Sequence, residues 1–272
     1  MIFNSQNKNV TLKNISELPD VGDPEGTAAN ALIFCSVVTT SLNPTAGDVL
    51  RINLKLCYTD DNDRFSKCRK TVSFFQDPGR ELNSEESKFV DFSLEKARGE
   101  SIDWSLVTKL LSSADLVVSH NSSFTRPWIE KYTGEIKTLW GCSMDQVDWA
   151  EMNFPSRSLS VLSVFSGFFY DFNDSSQSLS ALTQVLEIND TISSLLKNAT
   201  APDLQIFAAN APRDMNHLLK ERRYRWNPDV GCWWLAIKSR EQGEKESDWL
   251  KNNLPGTEPQ IFEIDPKFRF SK

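Results

Sequence analysis

Residues 31–38, ALIFCSVV, constrain this chain more than any other stretch. They are apolar at every position but Ser36 and rich in β-branched and aromatic side chains. Eight residues are too few for a stable helix and suit a strand covered on both faces. The stretch is therefore expected to be a central strand.

The rest of the composition allows a core to form around it. The chain has 272 residues, 39% of them hydrophobic, with eight Trp and seventeen Phe. That length suits one large domain, or a domain of about 200 residues with a small appendage. Charged residues make up 25%, as in ordinary globular proteins. No apolar run approaches the ~20 residues that cross a bilayer. The start MIFNSQNKNV lacks the basic and apolar regions of a secretory signal, so the expectation is a cytoplasmic protein with no membrane partner. Five cysteines, at 35, 57, 68, 142 and 232, include no C-x-x-C pair, and His120 and His217 are the only histidines. This is poor zinc-site material, and all five cysteines are expected as reduced thiols.

Charge is uneven along the chain. Before residue 201, 18 Lys and Arg stand against 26 Asp and Glu, and after it 12 stand against 11. An acidic body is not the electrostatic footprint of a general nucleic-acid binder, so any nucleic acid must use a local patch.

Taken in order, residues 1–30 form a polar lead-in punctuated by Pro19, Gly22, Pro24 and Gly26. In 49–58, Leu50, Ile52, Leu54 and Leu56 alternate with Arg51, Asn53, Lys55 and Cys57, the pattern of a half-buried strand. Residues 60–63 make a turn and 68–75 a third strand, giving an antiparallel meander. A helix follows over 102–111, a short strand over 114–119 and another near Trp140. Residues 158–165 are a helix stopped by Gly167.

Three segments carry a resemblance. Thr39-Thr40-Ser41-Leu42-Asn43-Pro44 resembles the end of the D-x-E-T-T-G-L…P motif of DnaQ-like (DEDD) 3′–5′ exonucleases. Val117-Val118-Ser119-His120-Asn121-Ser122-Ser123-Phe124-Thr125-Arg126-Pro127 resembles their V-A-H-N-A-x-F-D-R-P motif. The run from Trp140 through Asp171 is similar to one DEDDh subgroup, whose continuation H-R-A-D-x-D is replaced here from Asn173 to Ser178. The likeness implies an RNase H-like α/β fold with a mixed five-stranded sheet and flanking helices over 1–200.

It also implies where catalysis would sit. Ser36 and Val38 occupy the first Asp and Glu positions, Thr125 the second Asp, Asn173 the general-base His and Ser178 the last metal Asp. Two divalent metals between four carboxylates need anionic oxygens that these side chains do not supply. Asp145, Asp148, Asp171 and Asp174 stand at no matching position and suit turns or caps. His120 and Asn121 suit hydrogen bonds that hold the strand end to the next helix. Ser176 or Ser178 suits the cap of a helix carrying Leu179, Leu182, Val185 and Leu186. No metal and no cofactor is expected.

After residue 200 a small α+β module is expected, with strands over 204–208 and 232–237 and a helix over 214–224. Its pattern H-L-L-K-x-R-x-Y-R-W-N-P, then W-W, is similar to a module on the same exonuclease subgroup. Lys220, Arg222, Arg223 and Arg225 gather beside Tyr224 and Trp226, a combination that suits phosphate contacts and base stacking. Most Trp are expected in the module's core and the Arg on its surface.

The expectation is thus a chain that is not an enzyme, a catalytically inactive homologue serving as a regulatory or recognition subunit. It would bind single-stranded nucleic acid or a protein partner within a nucleic-acid-processing complex. The alternatives are an active 3′–5′ exonuclease with rearranged ligands, and a purely protein-binding module that occupies a partner's nucleic-acid surface.

Overall fold

The structure, a computed structural model, describes residues 11–22, 28–228, 230–237 and 239–271. Much of the lead-in, including Pro24 and Gly26, lies outside them. The chain divides into two compact units, 1–200 with 270–272, and 201–269.

In the first unit the elements run β1 (Lys13–Asn14), β2 (Asn30–Thr39), β3 (Val49–Thr59), β4 (Phe65–Cys68), β5 (Val72–Phe75), α1 (Ser84–Ser87), α2 (Trp104–Ser112), β6 (Leu116–Ser119), α3 (Ser122–Thr133), β7 (Leu139–Cys142), α4 (Leu159–Phe165), β8 (Phe168–Phe169), α5 (Ser175–Ile188) and α6 (Ile192–Thr200). The main sheet has the order β4-β3-β2-β6-β7, with β5 also paired to β3. β3 runs antiparallel to β2, β4 and β5, while β2, β6 and β7 are parallel. This is the mixed α/β sheet expected from the sequence, with β2 in the middle. It has six strands where five were expected, because the meander's third strand breaks at Arg69–Thr71 into β4 and β5.

β2 is covered on both sides for a readable reason. Leu32 and Phe34 pack with Leu179, Leu182, Val185 and Leu186 of α5, while Ile33 and Cys35 pack with Trp128, Ile129 and Val107 of the opposite layer. Burying each large apolar side chain contributes about 1.5–3 kcal/mol, so both layers hold the strand.

Two expectations are corrected here. β3 is not half-buried: Arg51, Asn53, Lys55 and Cys57 are all buried, because α5 covers the face that the alternation assigned to solvent. The cysteines are not all reduced, since Cys57 and Cys68 form a disulfide between β3 and β4. They are direct cross-strand partners with Cα atoms 4.0 Å apart, a proximity that the strand register creates and spacing alone does not reveal. Among the described residues no helix is long and apolar enough to cross a membrane.

The second unit runs β9 (Asp203–Ala209), α7 (Asn216–Glu221), β10 (Arg225–Asn227), β11 (Cys232–Ile237), α8 (Arg240–Asn253) and β12 (Glu258–Ile264). Its sheet has the order β10-β11-β9-β12, antiparallel throughout. The helix expected over 214–224 is shorter, a 3₁₀ turn at Arg213–Met215 and then α7. One sheet face, through Ile206, Ala208, Trp233 and Ile237, packs with Leu219, Leu250 and Leu254.

α8 approaches this sheet closely at Gly243. A Cβ built there meets Ile237 Cδ1 at 2.6 Å and Ile261 Cδ1 at 2.7 Å. Gly243→Val therefore forces the helix off the sheet or both Ile side chains from their rotamers, and is expected to destabilise the second unit by about 1–3 kcal/mol. Urea unfolding followed by tryptophan emission checks this; an unchanged midpoint contradicts the close packing.

Candidate functional site

Ser36 and Ser178, two of the residues at the exonuclease-like positions, meet a buried polar layer between β3 and α5. On β3 the polar alternation Arg51, Asn53, Lys55 faces α5, and strand register sets Ser36 opposite Asn53 and Val38 opposite Arg51. Asn53 Nδ2 donates to Ser36 Oγ at 3.1 Å and to Ser175 Oγ at 3.3 Å, and Ser73 Oγ donates to Asn53 Oδ1 at 2.7 Å. Ser178 Oγ donates to the Ser175 carbonyl at 2.6 Å, which places it one turn along the same network.

Arg51 is the charge at its centre. The side chain is 3% exposed, and its Nη2 donates to both carboxylate oxygens of Asp91, at 2.9 and 3.0 Å, and to the Ser175 hydroxyl. Asp174 Oδ1 lies 3.9 Å from the same nitrogen. The guanidinium also sits over Phe92 at 5.0 Å and Phe75 at 5.8 Å. Burial lowers the Arg51 pKa from its ordinary value, against the pull of Asp91 and Asp174. Asp91 accepts the Ser175 N–H and Asp174 that of Ser176, so both carboxylates serve the N-terminus of α5, where negative charge is favoured. Burial acts to raise the Asp174 carboxyl, yet bonds from Ser176 and Gln177 together with Arg51 hold it below its ordinary value. Asp174, and not Ser176 or Ser178, is the cap of α5.

The five family positions are thus only partly assembled. Ser36 and Ser178 join one network through Asn53 and Ser175, and Val38 is buried beside Arg51. Thr125 is buried on α3 and takes no part in that network among the described residues. Asn173 is exposed, its N–H bonded to Asp171. The sequence reading missed Arg51, Asn53 and Asp91 as site residues. The unusual polar side of β3 was the available signal for the first two, whereas Asp91 is reached by contacts 40 and 84 residues away in sequence.

His120 and Asn121 hold the neighbouring strand end. His120 Nε2 donates to the Arg157 carbonyl and Nδ1 accepts from Ser143 Oγ, both at 2.8 Å, while Asn121 caps α3. Asp145 pairs with Arg157, and Asp148 and Asp171 accept nearby backbone N–H groups. Among the described residues no group of three or more His, Cys, Asp or Glu is arranged to hold a metal ion.

In the second unit the basic cluster is divided. Arg222 makes a two-pronged pair with Glu246, at 2.9 and 2.6 Å, and lies over Trp249 at 4.0 Å. Lys220, Arg223 and Arg225 are exposed and form no ion pair among the described residues. Trp226 is 51% exposed and stacks edge-on with its cross-strand partner Trp233, so it lies on the opposite sheet face from Arg225.

No protein-family profile and no curated protein sequence matches the chain. Its fold is similar to those of solved exonucleases. Exonuclease X, solved with 5′-overhanging duplex DNA, aligns at 14% identity and a TM-score of 0.41 over 62% of this chain and 99% of its own. Exonuclease I aligns at 10% and 0.47 over 89% of this chain and 66% of its own. A 3′-exonuclease that recognises the 3′ end of the histone mRNA stem-loop aligns at 9% and 0.45, over 61% and 83%. The chain thus spans just under two thirds of exonuclease I. The expectation of a chain that is not an enzyme is corrected here: these similar structures are all exonucleases, and nothing in the comparison marks an inactive homologue.

Two measurements test the site's physics. Arg51→Met leaves the Asp91 carboxylate without its buried partner and is expected to cost about 3 kcal/mol, of which the double variant with Asp91→Asn recovers a substantial part. Urea titration of the four-member cycle reads the coupling; strictly additive losses would show that the pair does not act as a unit.

The second concerns pH. Burial, opposed by the bond to Arg157, lowers the His120 pKa from 6.5 to about 4. Below 6.5 the unfolded chain takes up a proton that the folded chain refuses, so this contribution to stability is full above 6.5 and lost as pH falls to about 4. His120→Gln is expected to flatten the loss in that window, as read by urea midpoints; an equal slope in both proteins would place the titration elsewhere.

Proposed function

We propose that this protein binds single-stranded nucleic acid, with a DnaQ-like (DEDDh) exonuclease-like domain joined to a C-terminal unit that carries a local basic cluster. The observation that carries the reading is the exposure of Lys220, Arg223 and Arg225 free of ion pairs among the described residues, in a chain whose larger part is acidic. Arg223 also occupies the left-handed region, φ 68°, at the end of α7, a position usually given to Gly, where its side chain projects from a tight turn. Cations concentrated on one stretch make phosphate contacts without asking the acidic body to bind a polyanion. The bound strands in the similar exonuclease X and 3′-exonuclease structures motivate nucleic acid over other polyanions.

A second reading is favoured by one observation, the convergence of Asp91 and Asp174 on Arg51 beside Ser36. A Mg²⁺ ion is commonly held by one or two carboxylates plus substrate phosphates. Two carboxylates not at the family's positions would then be ligands of an active 3′–5′ exonuclease with rearranged ligands, with a Mg²⁺ ion taking the place of the Arg51 guanidinium between them.

One experiment addresses both. The full chain, titrated with labelled oligo(dT) and oligo(U), is expected to bind with a salt slope of about −0.7 per phosphate contact. Lys220→Gln, Arg223→Gln and Arg225→Gln together should flatten that slope with little effect on stability. Equal affinity and slope before and after the change move the site elsewhere; no binding by the parent at low salt sinks the reading in favour of a protein partner. Adding Mn²⁺ to the same end-labelled strands tests hydrolysis, and 3′ shortening abolished by Asp91→Asn and Asp174→Asn supports the second reading.

A further inference from the structure

The second unit runs β-α-β-β-α-β, and its sheet order, β10-β11-β9-β12, is second, third, first, fourth along the unit. Both helices pack on one face, where Ile206, Ala208, Trp233, Ile237 and Ile261 are gathered. Strand alternation puts Phe207, Trp234 and Phe262 on the other face. Register makes Trp234 the direct neighbour of Phe207, and Phe262 meets Phe207 edge-on with ring centroids 5.4 Å apart. Phe262 is 46% exposed and Val230 61% exposed, beside a shallow depression of about 450 Å³ lined by Phe207, Phe262 and Ile264. Among the described residues of this unit the rings belong to no helix-side core cluster.

The charges around these rings are asymmetric. Arg225 on the edge strand β10 is the cross-strand partner of Trp234, and Arg223 and Lys220 precede it. On the opposite edge, β12, the exposed Glu258 shares the face of Phe207, while Glu263 lies on the helix side and is paired with Arg240. Four-stranded sheets with aromatic residues on the central strands are a recurrent platform on which single-stranded bases stack, and stacking tolerates any base because each has a π-face.

We propose that the open sheet face formed by Phe207, Trp234 and Phe262 is a base-stacking site for single-stranded nucleic acid, with the phosphates running along the Arg225 edge. This rests on the nucleic-acid reading above and adds to it the surface and the mode of contact. The asymmetry between Arg225 and Glu258 favours a polyanion and sets its placement, since phosphates over the β12 edge would meet the Glu258 carboxylate.

The test uses the full chain and fluorescein-labelled oligo(U) and oligo(dT) of twelve nucleotides. Leucine at the three positions removes the π-faces while keeping apolar bulk. Each single change is expected to weaken binding about fivefold or more, and the triple variant a hundredfold or more, with Trp234→Phe close to the parent. Thermal melting confirms that each variant folds. Ultraviolet cross-linking of the parent gives a readout independent of folding of the variants: cross-linked peptides should fall in 203–209, 232–237 or 258–264. Parent binding with an unaffected triple variant, or cross-links confined outside those strands, overturns the sheet-face site and leaves nucleic-acid binding standing. A parent that binds neither oligonucleotide at low salt overturns both.

Discussion

The buried Arg51 guanidinium organises the polar side of the first unit. A charge removed from water costs several kcal/mol unless it is paired and hydrogen-bonded, so its surroundings are constrained more tightly than those of an apolar side chain. Asp91 supplies two oxygens, Ser175 a hydroxyl, and Phe75 and Phe92 their ring faces. Those groups come from β5, the segment before α2 and the start of α5. One side chain thus ties the long connection between β5 and α2 to the helix that closes the central sheet.

That interaction also decides the character of the neighbouring site. Ser36, Asn53, Ser73 and Ser175 are linked by neutral hydrogen bonds, and the nearest carboxylates, Asp91 and Asp174, are directed at Arg51 and the amides of α5. The site therefore pairs a fixed cation with two carboxylates beside a row of hydroxyls. Its chemistry differs from a cage of four carboxylates, which must recruit cations to hold its charges together.

The second unit distributes its aromatic residues between two tasks. Trp233 fills the helix-side core and Trp249 packs under Arg222, as a small module with little other apolar material requires. Phe207, Trp234 and Phe262 instead lie on the face away from the helices. The expectation of surface Arg held, with Arg222 exposed and paired to Glu246, and that of core Trp held in part, since Trp233 is buried and Trp226 half exposed. Composition showed aromatics beside cations, and only the pairing of β10, β11 and β9 showed which of them share a face.

The sequence by itself determined the central strand, the antiparallel meander and the His120-Asn121 junction, because each rests on local periodicity, caps and turn residues. Of the five positions it took as family-like, Ser36 and Ser178 meet in one network, while Thr125 and Asn173 stand apart from it among the described residues. The tertiary structure alone decided what faces those positions. Period-two alternation says which residues of β3 share a side and says nothing of whether α5 or water covers it, so Arg51, Asn53 and Lys55 passed for a solvated face. Asp91 joins the site, and Cys57 meets Cys68, through register and long-range packing, which are properties of the assembled sheet and not of any one segment.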